Sequence, residues 1–119
     1  MGIRENRPEI DAFLAKAKEL LESGDYDFVP RRRNLQALAA IGFTIKDAKT
    51  EIAELTAEDY HKGPKADFDS ARGGEIWEFK KNVEGMQFYV KLKIQDAGGK
   101  DVLKCLSFHE DDFASGEEE

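Results

Sequence analysis

Glu78, Tyr89, Ser107 and His109 fall together on one face of a sheet if the C-terminal third of the chain folds as its hydrophobic alternation dictates. Phe88, Val90, Leu92 and Ile94 alternate with Gln87, Tyr89, Lys91, Lys93 and Gln95, which is the period of a half-buried strand. Asp96-Ala-Gly-Gly-Lys100 then reads as a hairpin loop into a second strand, Asp101 to His109. Closing that hairpin near Gly98 sets Ile94 opposite Val102, Leu92 opposite Lys104, Val90 opposite Leu106 and Phe88 opposite Phe108. One face is then apolar except for Lys104. The other places Tyr89 opposite Ser107, with His109 on the diagonal, inside cross-strand reach. A third strand, Glu75 to Lys80, turns through Lys81-Asn-Val-Glu-Gly85; with Trp77 and Phe79 on the apolar face, Glu78 stands beside Tyr89. A slip of one residue would destroy the cluster but would also expose the whole apolar set.

The chemistry on offer is proton transfer in a basic setting. Histidine is the residue type suited to proton transfer near neutral pH, so His109 reads as a general acid or base. Lys80, Lys91 and Lys93 flank the cluster, and a locally positive surface suits a phosphate ligand. His109 with Glu110-Asp111-Asp112 lacks the ligand spacing of a zinc site, so no metal and no cofactor is expected. Lys62 lies in a stretch from His61 to Gly74 that carries Gly63-Pro64 and Gly73-Gly74 and reads as an exposed loop, where functional residues concentrate. Arg31-Arg32-Arg33 reads as an RNA phosphate contact, a docking patch or a solvated basic loop. Each of these residues also has a plainer reading as an ordinary solvent-facing side chain, and Cys105 and Trp77 read as packed core.

The elements that must position these groups are helices first and strands last, which argues α+β. Helix one runs from about Pro8 to Ser23, with Ile10, Phe13, Leu14, Ala17, Leu20 and Leu21 at helical spacing and Gly24 as its stop. Asp25 to Val29 suggests a short edge strand ended by Pro30. Helix two covers roughly Asn34 to Ile41 before Gly42. Thr44 with Asp47 caps helix three, whose stripe is Ile45, Ala48, Ile52 and Leu55, and Thr56 to Asp59 repeats the capping signal for one more turn.

A chain of 119 residues suggests one domain, here residues 1–112, followed by an acidic, disordered tail over 113–119. Net charge is −7, yet six of the 25 acidic residues and no basic one follow His109, so residues 1–109 carry 18 basic against 19 acidic groups. A single cysteine rules out an internal disulfide and points to a reducing cytoplasm; no apolar run reaches membrane-spanning length, so no membrane is expected.

Leu55-Thr-Ala-Glu-Asp-Tyr-His-Lys62, Ile76-Trp-Glu78, Phe88-Tyr-Val-Lys-Leu92 and Ser107-Phe-His-Glu110 resemble, in order and spacing, the MqsR family of toxins. The resemblance covers about residues 28–110, including the arginine-rich entry to helix two. It implies a RelE-like fold, N-terminal helices packed on a C-terminal antiparallel meander sheet. It also implies an endoribonuclease that cuts single-stranded messenger RNA (an mRNA interferase) and a cognate antitoxin partner. Lys62 matches the family's catalytic lysine and Tyr89 its strand tyrosine. Glu78 stands where the family carries glutamine, and His109 where it carries lysine; the exchanges imply altered acid/base capability or a branch with another substrate. The expectation is a metal-independent ribonuclease with Lys62, Glu78, Tyr89 and His109 as catalytic groups. Arg31, Arg32, Arg33, Lys80, Lys91 and Lys93 are expected to hold the RNA. Two rivals are a non-catalytic module binding RNA or protein on the same sheet face, and an inert subunit that docks a partner through the basic loop.

Overall fold

A computed structural model describes residues 3–67 and 73–110. The expected acidic tail, residues 113–119, lies outside the described residues. The order is α1 (Ile3–Ser23), β1 (Tyr26–Phe28), α2 (Arg32–Ala40), α3 (Ile45–Ala53), a 3-10 turn (Ala57–Asp59), β2 (Tyr60–Ala66), β3 (Glu75–Val83), β4 (Met86–Asp96) and β5 (Asp101–Glu110). The strands form one sheet in the order β1-β5-β4-β3-β2. From β3 to β5 it is the expected antiparallel meander, β2 extends it at the β3 edge, and β1 adds a parallel edge beside β5, which makes the sheet mixed.

α1 begins before the expected start, so that Pro8 lies inside it. It stops where glycine permits a left-handed turn: Gly24 has φ +86°, its amide reaches the Leu21 carbonyl at 3.2 Å, and the Asp25 amide reaches Leu20 at 2.9 Å. That reversal feeds the chain directly into β1. α3 carries the expected capping box between Thr44 and Asp47, and Thr56 with Asp59 forms another. The apolar stripes of α1 (Ile10, Leu14, Ala17, Leu21) and α3 (Ala48, Ile52) are buried against Phe79, Val90, Leu92, Leu103 and Phe108 of the sheet. Phe13 stacks on Trp77 with ring centroids 4.8 Å apart.

The β4–β5 register departs from the expected one. Ile94 pairs with Leu103, Leu92 with Cys105, Val90 with Phe108 and Phe88 with Glu110. A bulge lies at Lys91–Leu92, which pair with Ser107 and Cys105 and leave Leu106 as the extra residue. The hairpin closes one residue on from the expected register and so sets Lys104 opposite Lys93, and the bulge then returns Phe108 to the apolar face. Leu103 and Cys105 point to the helices, Leu106 absorbs one step, and Phe108 points to the helices again. Lys104 is therefore on the far face, where its Nζ sits 2.8 Å from Asp27 Oδ2. A strict alternation cannot place Leu103, Cys105 and Phe108 on one face.

Two further segments differ from expectation. Lys81 to Val83 continue β3 instead of turning, because Glu84 (φ +54°) and Gly85 (φ +84°) close a two-residue hairpin by themselves. Lys81 points to the helix side and holds α3 through Glu51 at 2.5 Å. The supposed loop after His61 is an edge strand, β2, as far as Ala66. Its pairing with β3 is broken by register shifts between Tyr60 and Lys62 and between Lys62 and Lys65, at the Gly63-Pro64 step. Proline belongs on an edge strand, where no partner needs its amide. Gly63 has φ +118°, and a Cβ there would meet the Ile76 carbonyl at 2.7 Å, so only glycine lets β2 lie this close to β3.

Candidate active site

The face of the sheet turned away from the helices carries the candidate groups. Cross-strand partners share a face, so the pairs Lys62–Glu78, Glu78–Lys91, Lys80–Tyr89, Lys91–Ser107 and Tyr89–His109 place all of these side chains together. His109 lies directly opposite Tyr89, not on the diagonal, and Ser107 opposes Lys91. Of that two-residue shift, one residue comes from the hairpin, which closes with Asp96 opposite Asp101, and one from the bulge.

Glu78 is the centre. It is fully buried, yet both carboxylate oxygens are engaged. Tyr89 donates its hydroxyl to Oε1, and Lys65 Nζ lies 2.9 Å from Oε2. Burial pushes the carboxyl's pKa up, but the Tyr89 and Lys65 hydrogen bonds and the charges of Lys65 and Lys62 outweigh it, so it sits below its ordinary value. Glu78 is accordingly a carboxylate at neutral pH. Tyr89 is half-buried, and its ring is the hub of an aromatic cluster: His109 at 5.8 Å between centroids, His61 at 6.4 Å, and Lys91 Nζ 5.6 Å from the ring centre.

His109 is 3% exposed. Its Nδ1 lies 2.9 Å from the Glu110 carbonyl. A carbonyl only accepts, so Nδ1 carries a proton in this contact. Ser107 is buried beside it, and its Oγ has no hydrogen-bond partner among the described residues.

The expected basic residues divide into three groups. Lys62 and Lys91 join the cluster, Lys62 exposed and Lys91 largely buried; Lys80 flanks it, half-buried opposite Tyr89. Lys93 is 2% exposed and its Nζ sits 2.6 Å from Asp67, so this ammonium fastens the segment after β2 instead of facing solvent. Arg31, Arg32 and Arg33 form the N-cap and first turn of α2, with no acidic residue and no side-chain cap there. Cations at the positive end of a helix disfavour it unless an anion is close. Arg33 and His109 line the same small cavity between α2 and the ends of β4 and β5. Cys105 is buried, and burial pushes its thiol pKa up, which fits packing and not nucleophilic chemistry.

Two contributors escaped the sequence reading. Lys65 holds Glu78, and His61 packs on Tyr89. Both lie in the stretch taken for a loop. The signal was Lys62-Gly-Pro-Lys65 itself: a glycine and an edge proline between two lysines mark a bulged strand able to turn both toward one side.

Among the described residues no group of three or more histidine, cysteine, aspartate or glutamate side chains is arranged to hold a metal ion, and no helix is long and apolar enough to cross a membrane. Compared with known proteins, residues 9–110 match the family model described as motility quorum-sensing regulator, toxin of MqsA. No curated protein and no solved structure matches the chain.

Proposed function

The chain belongs to the MqsR toxin family, which implies an antitoxin partner, and we propose that it is an endoribonuclease that cuts single-stranded messenger RNA with the open-face cluster. The observation that carries this reading is the contact of Tyr89 with both Glu78 and His109, beside Lys62 and Lys65. A carboxylate, a phenol and an imidazole in sequence, bordered by ammonium groups, match the needs of attack by a ribose 2′-hydroxyl on its own phosphodiester.

In the proposed reaction the phosphate lies across the Tyr89 and His109 ring edges. The Tyr89 oxygen takes the 2′-hydroxyl proton as its own proton passes to Glu78, with which it is already hydrogen-bonded. The 2′-oxygen bonds to phosphorus. The bond to the 5′-oxygen breaks, and His109, in its protonated form, supplies the proton that this oxygen needs. Nδ1–H stays on the Glu110 carbonyl throughout and keeps Nε2 aimed. Lys62 and Lys65 offset the charge that grows on the non-bridging oxygens. The products are a 2′,3′-cyclic phosphate and a 5′-hydroxyl end. Arg31, Arg32 and Arg33, at the positive end of α2, draw the phosphates of the strand on either side.

A second reading, a sheet face that grips RNA or protein without cutting it, is favoured by the burial of Glu78 and His109. Incubating the purified protein with single-stranded RNA, with and without a chelator, separates the two. Cleavage that survives the chelator, yields cyclic phosphate ends and fails on RNA carrying one 2′-deoxyribose at the cut supports the nuclease. Binding without cleavage under all conditions would leave the module.

A further inference from the structure

Lys62 and Lys65 stand three residues apart in β2, a spacing that turns the side chains of a regular strand to opposite faces. Here both reach the open face. β2 spends three steps between Lys62 and Lys65 where β3 spends two between Glu78 and Ile76, so the irregularity at Gly63-Pro64 carries Lys65 across. Its Nζ ends 2.9 Å from Glu78 Oε2, with half of the Lys65 side chain exposed and none of the Glu78 side chain. We propose that Lys65 is a positioning residue for the open-face cluster: its ammonium keeps the buried Glu78 ionised and leaves the other carboxylate oxygen to Tyr89. For its consequence on rate the inference rests on the ribonuclease reading above.

Burial, charge and geometry support it. A carboxylate shut off from solvent takes up a proton unless a cation and hydrogen bonds hold its charge. Among the described residues Lys65 is the cation in direct contact with Glu78. The other titratable groups of this face are placed differently. Lys62 pairs with Glu78 across the strands but acts on it from a distance. Lys91 pairs with Glu78 from β4, and its Nζ lies over the Tyr89 ring. Lys80, on the same strand as Glu78, pairs with Tyr89. Lys93 is held by Asp67. His61 and His109 stand against the Tyr89 ring. The two oxygens of Glu78 therefore have separate tasks. Oε2 is tied to Lys65, and Oε1 accepts from the Tyr89 hydroxyl, the group whose proton passes to Glu78 in the proposed reaction. Without Lys65 the cost of burial weighs more, and Glu78 holds its proton to higher pH. A protonated carboxyl has no place for the proton of Tyr89. The half-exposed Lys65 can also face a phosphate oxygen, and that contact would act whether or not residue 78 ionises.

The test measures cleavage of a single-stranded RNA oligonucleotide from acid to alkaline pH by the full chain, with Lys65→Met and Lys65→Arg, each alone and Lys65→Met also combined with Glu78→Gln. Lys65→Met should lower kcat at neutral pH by about tenfold, within the range for residues of one salt-bridge network. It should leave KM nearly unchanged and move the acid limb of the profile to higher pH. Lys65→Arg, which keeps the charge, should restore most of the rate and the position of that limb. Once Glu78→Gln is present, Lys65→Met should change little. The carbon-13 signal of the Glu78 carboxyl, followed by NMR without RNA, should titrate at higher pH in Lys65→Met than in the wild type. An equal loss in both backgrounds with an unmoved acid limb would overturn the proposal and leave Lys65 as a phosphate contact. A Glu78 titration that Lys65→Met does not move would overturn it as well. A protein that cuts no RNA, yet whose Glu78 titration moves as expected, would support the pairing and sink the ribonuclease reading alone.

Discussion

Asn34 accepts the Phe108 amide on its Oδ1 at 3.0 Å, just past the point where β1 stops pairing with β5 at Cys105. Its Nδ2 donates to the Leu106 carbonyl at 3.1 Å and to the Val29 carbonyl at 3.0 Å. One buried amide of α2 thus holds the extra residue of β5 and the chain entering α2. The bulge changes the phase of β5. Without it Ser107 and His109 would follow Leu103 and Cys105 onto the helix face, and no cluster would form.

Replacing Asn34 with alanine should therefore cost more than an ordinary helix substitution. The Phe108 amide and the Leu106 carbonyl lose this partner at a 1% exposed position, and the Val29 carbonyl is left with the Arg31 amide alone. At about 1–3 kcal/mol for a buried group left unsatisfied, with some repaired by water, a loss of about 2–4 kcal/mol is expected. Urea unfolding measures it. A change under about 0.5 kcal/mol would mean that the bulge holds itself.

Gly63→Ala should damage the site without altering any of its chemical groups. The new methyl would strike the Ile76 carbonyl in a backbone conformation that alanine rarely adopts, and β2 would have to retreat from β3. Lys62 and Lys65 would retreat with it. A misplacement of about 1 Å in a positioning element costs on the order of 10²-fold in rate. Cleavage kinetics on the folded variant decide the point, and a wild-type rate would show that the two lysines need no fixed place.

Glu78 should make stability depend on acid. Its pKa is held below the ordinary value of 4.5, so the folded chain binds this proton less readily than the unfolded chain does. Stability from this group is fully present above pH 4.5 and is lost as pH falls through the lower folded value. Glu78→Gln, which cannot ionise, should remove that part of the acid dependence. Thermal melts of both proteins between about pH 3 and 7 test it; parallel curves would exclude Glu78 as the source.

His109→Gln keeps size and hydrogen bonding but exchanges no proton. Cleavage should fall on the order of 10²-fold or more, with RNA binding roughly kept. His109→Lys keeps a donor that stays charged to higher pH, so it should retain more activity than glutamine and move the pH optimum upward. A glutamine variant with the wild-type rate and pH profile would reduce His109 to a buried strand residue.

Expression of the wild-type chain should arrest growth, and Lys62→Ala should relieve the arrest at equal protein level. Lys62 is exposed, so its loss should leave the fold intact. Arrest at full strength in the variant would take Lys62 out of the mechanism.

The sequence by itself determined the three helices and the strands other than β2, and that Glu78, Tyr89 and His109 share a face. These follow from local physics: a period near 3.6 in α1 and α3, a period of 2 in β4, capping residues at Thr44 and Thr56, and the penalty for turning an apolar strand face to water. The tertiary structure alone decided three things. The bulge at Leu106 is held from α2, where Asn34, far away in the chain, bonds the Leu106 carbonyl and the Phe108 amide. Residues 60–66 become a strand only because β3 offers an edge and Gly63 fits against it, and that pairing is what delivers Lys65 and His61 to the site. Lys93 is buried because Asp67 reaches it from the segment beyond β2. Each depends on a partner remote in sequence, and hydrophobic alternation carries no record of where such a partner will lie.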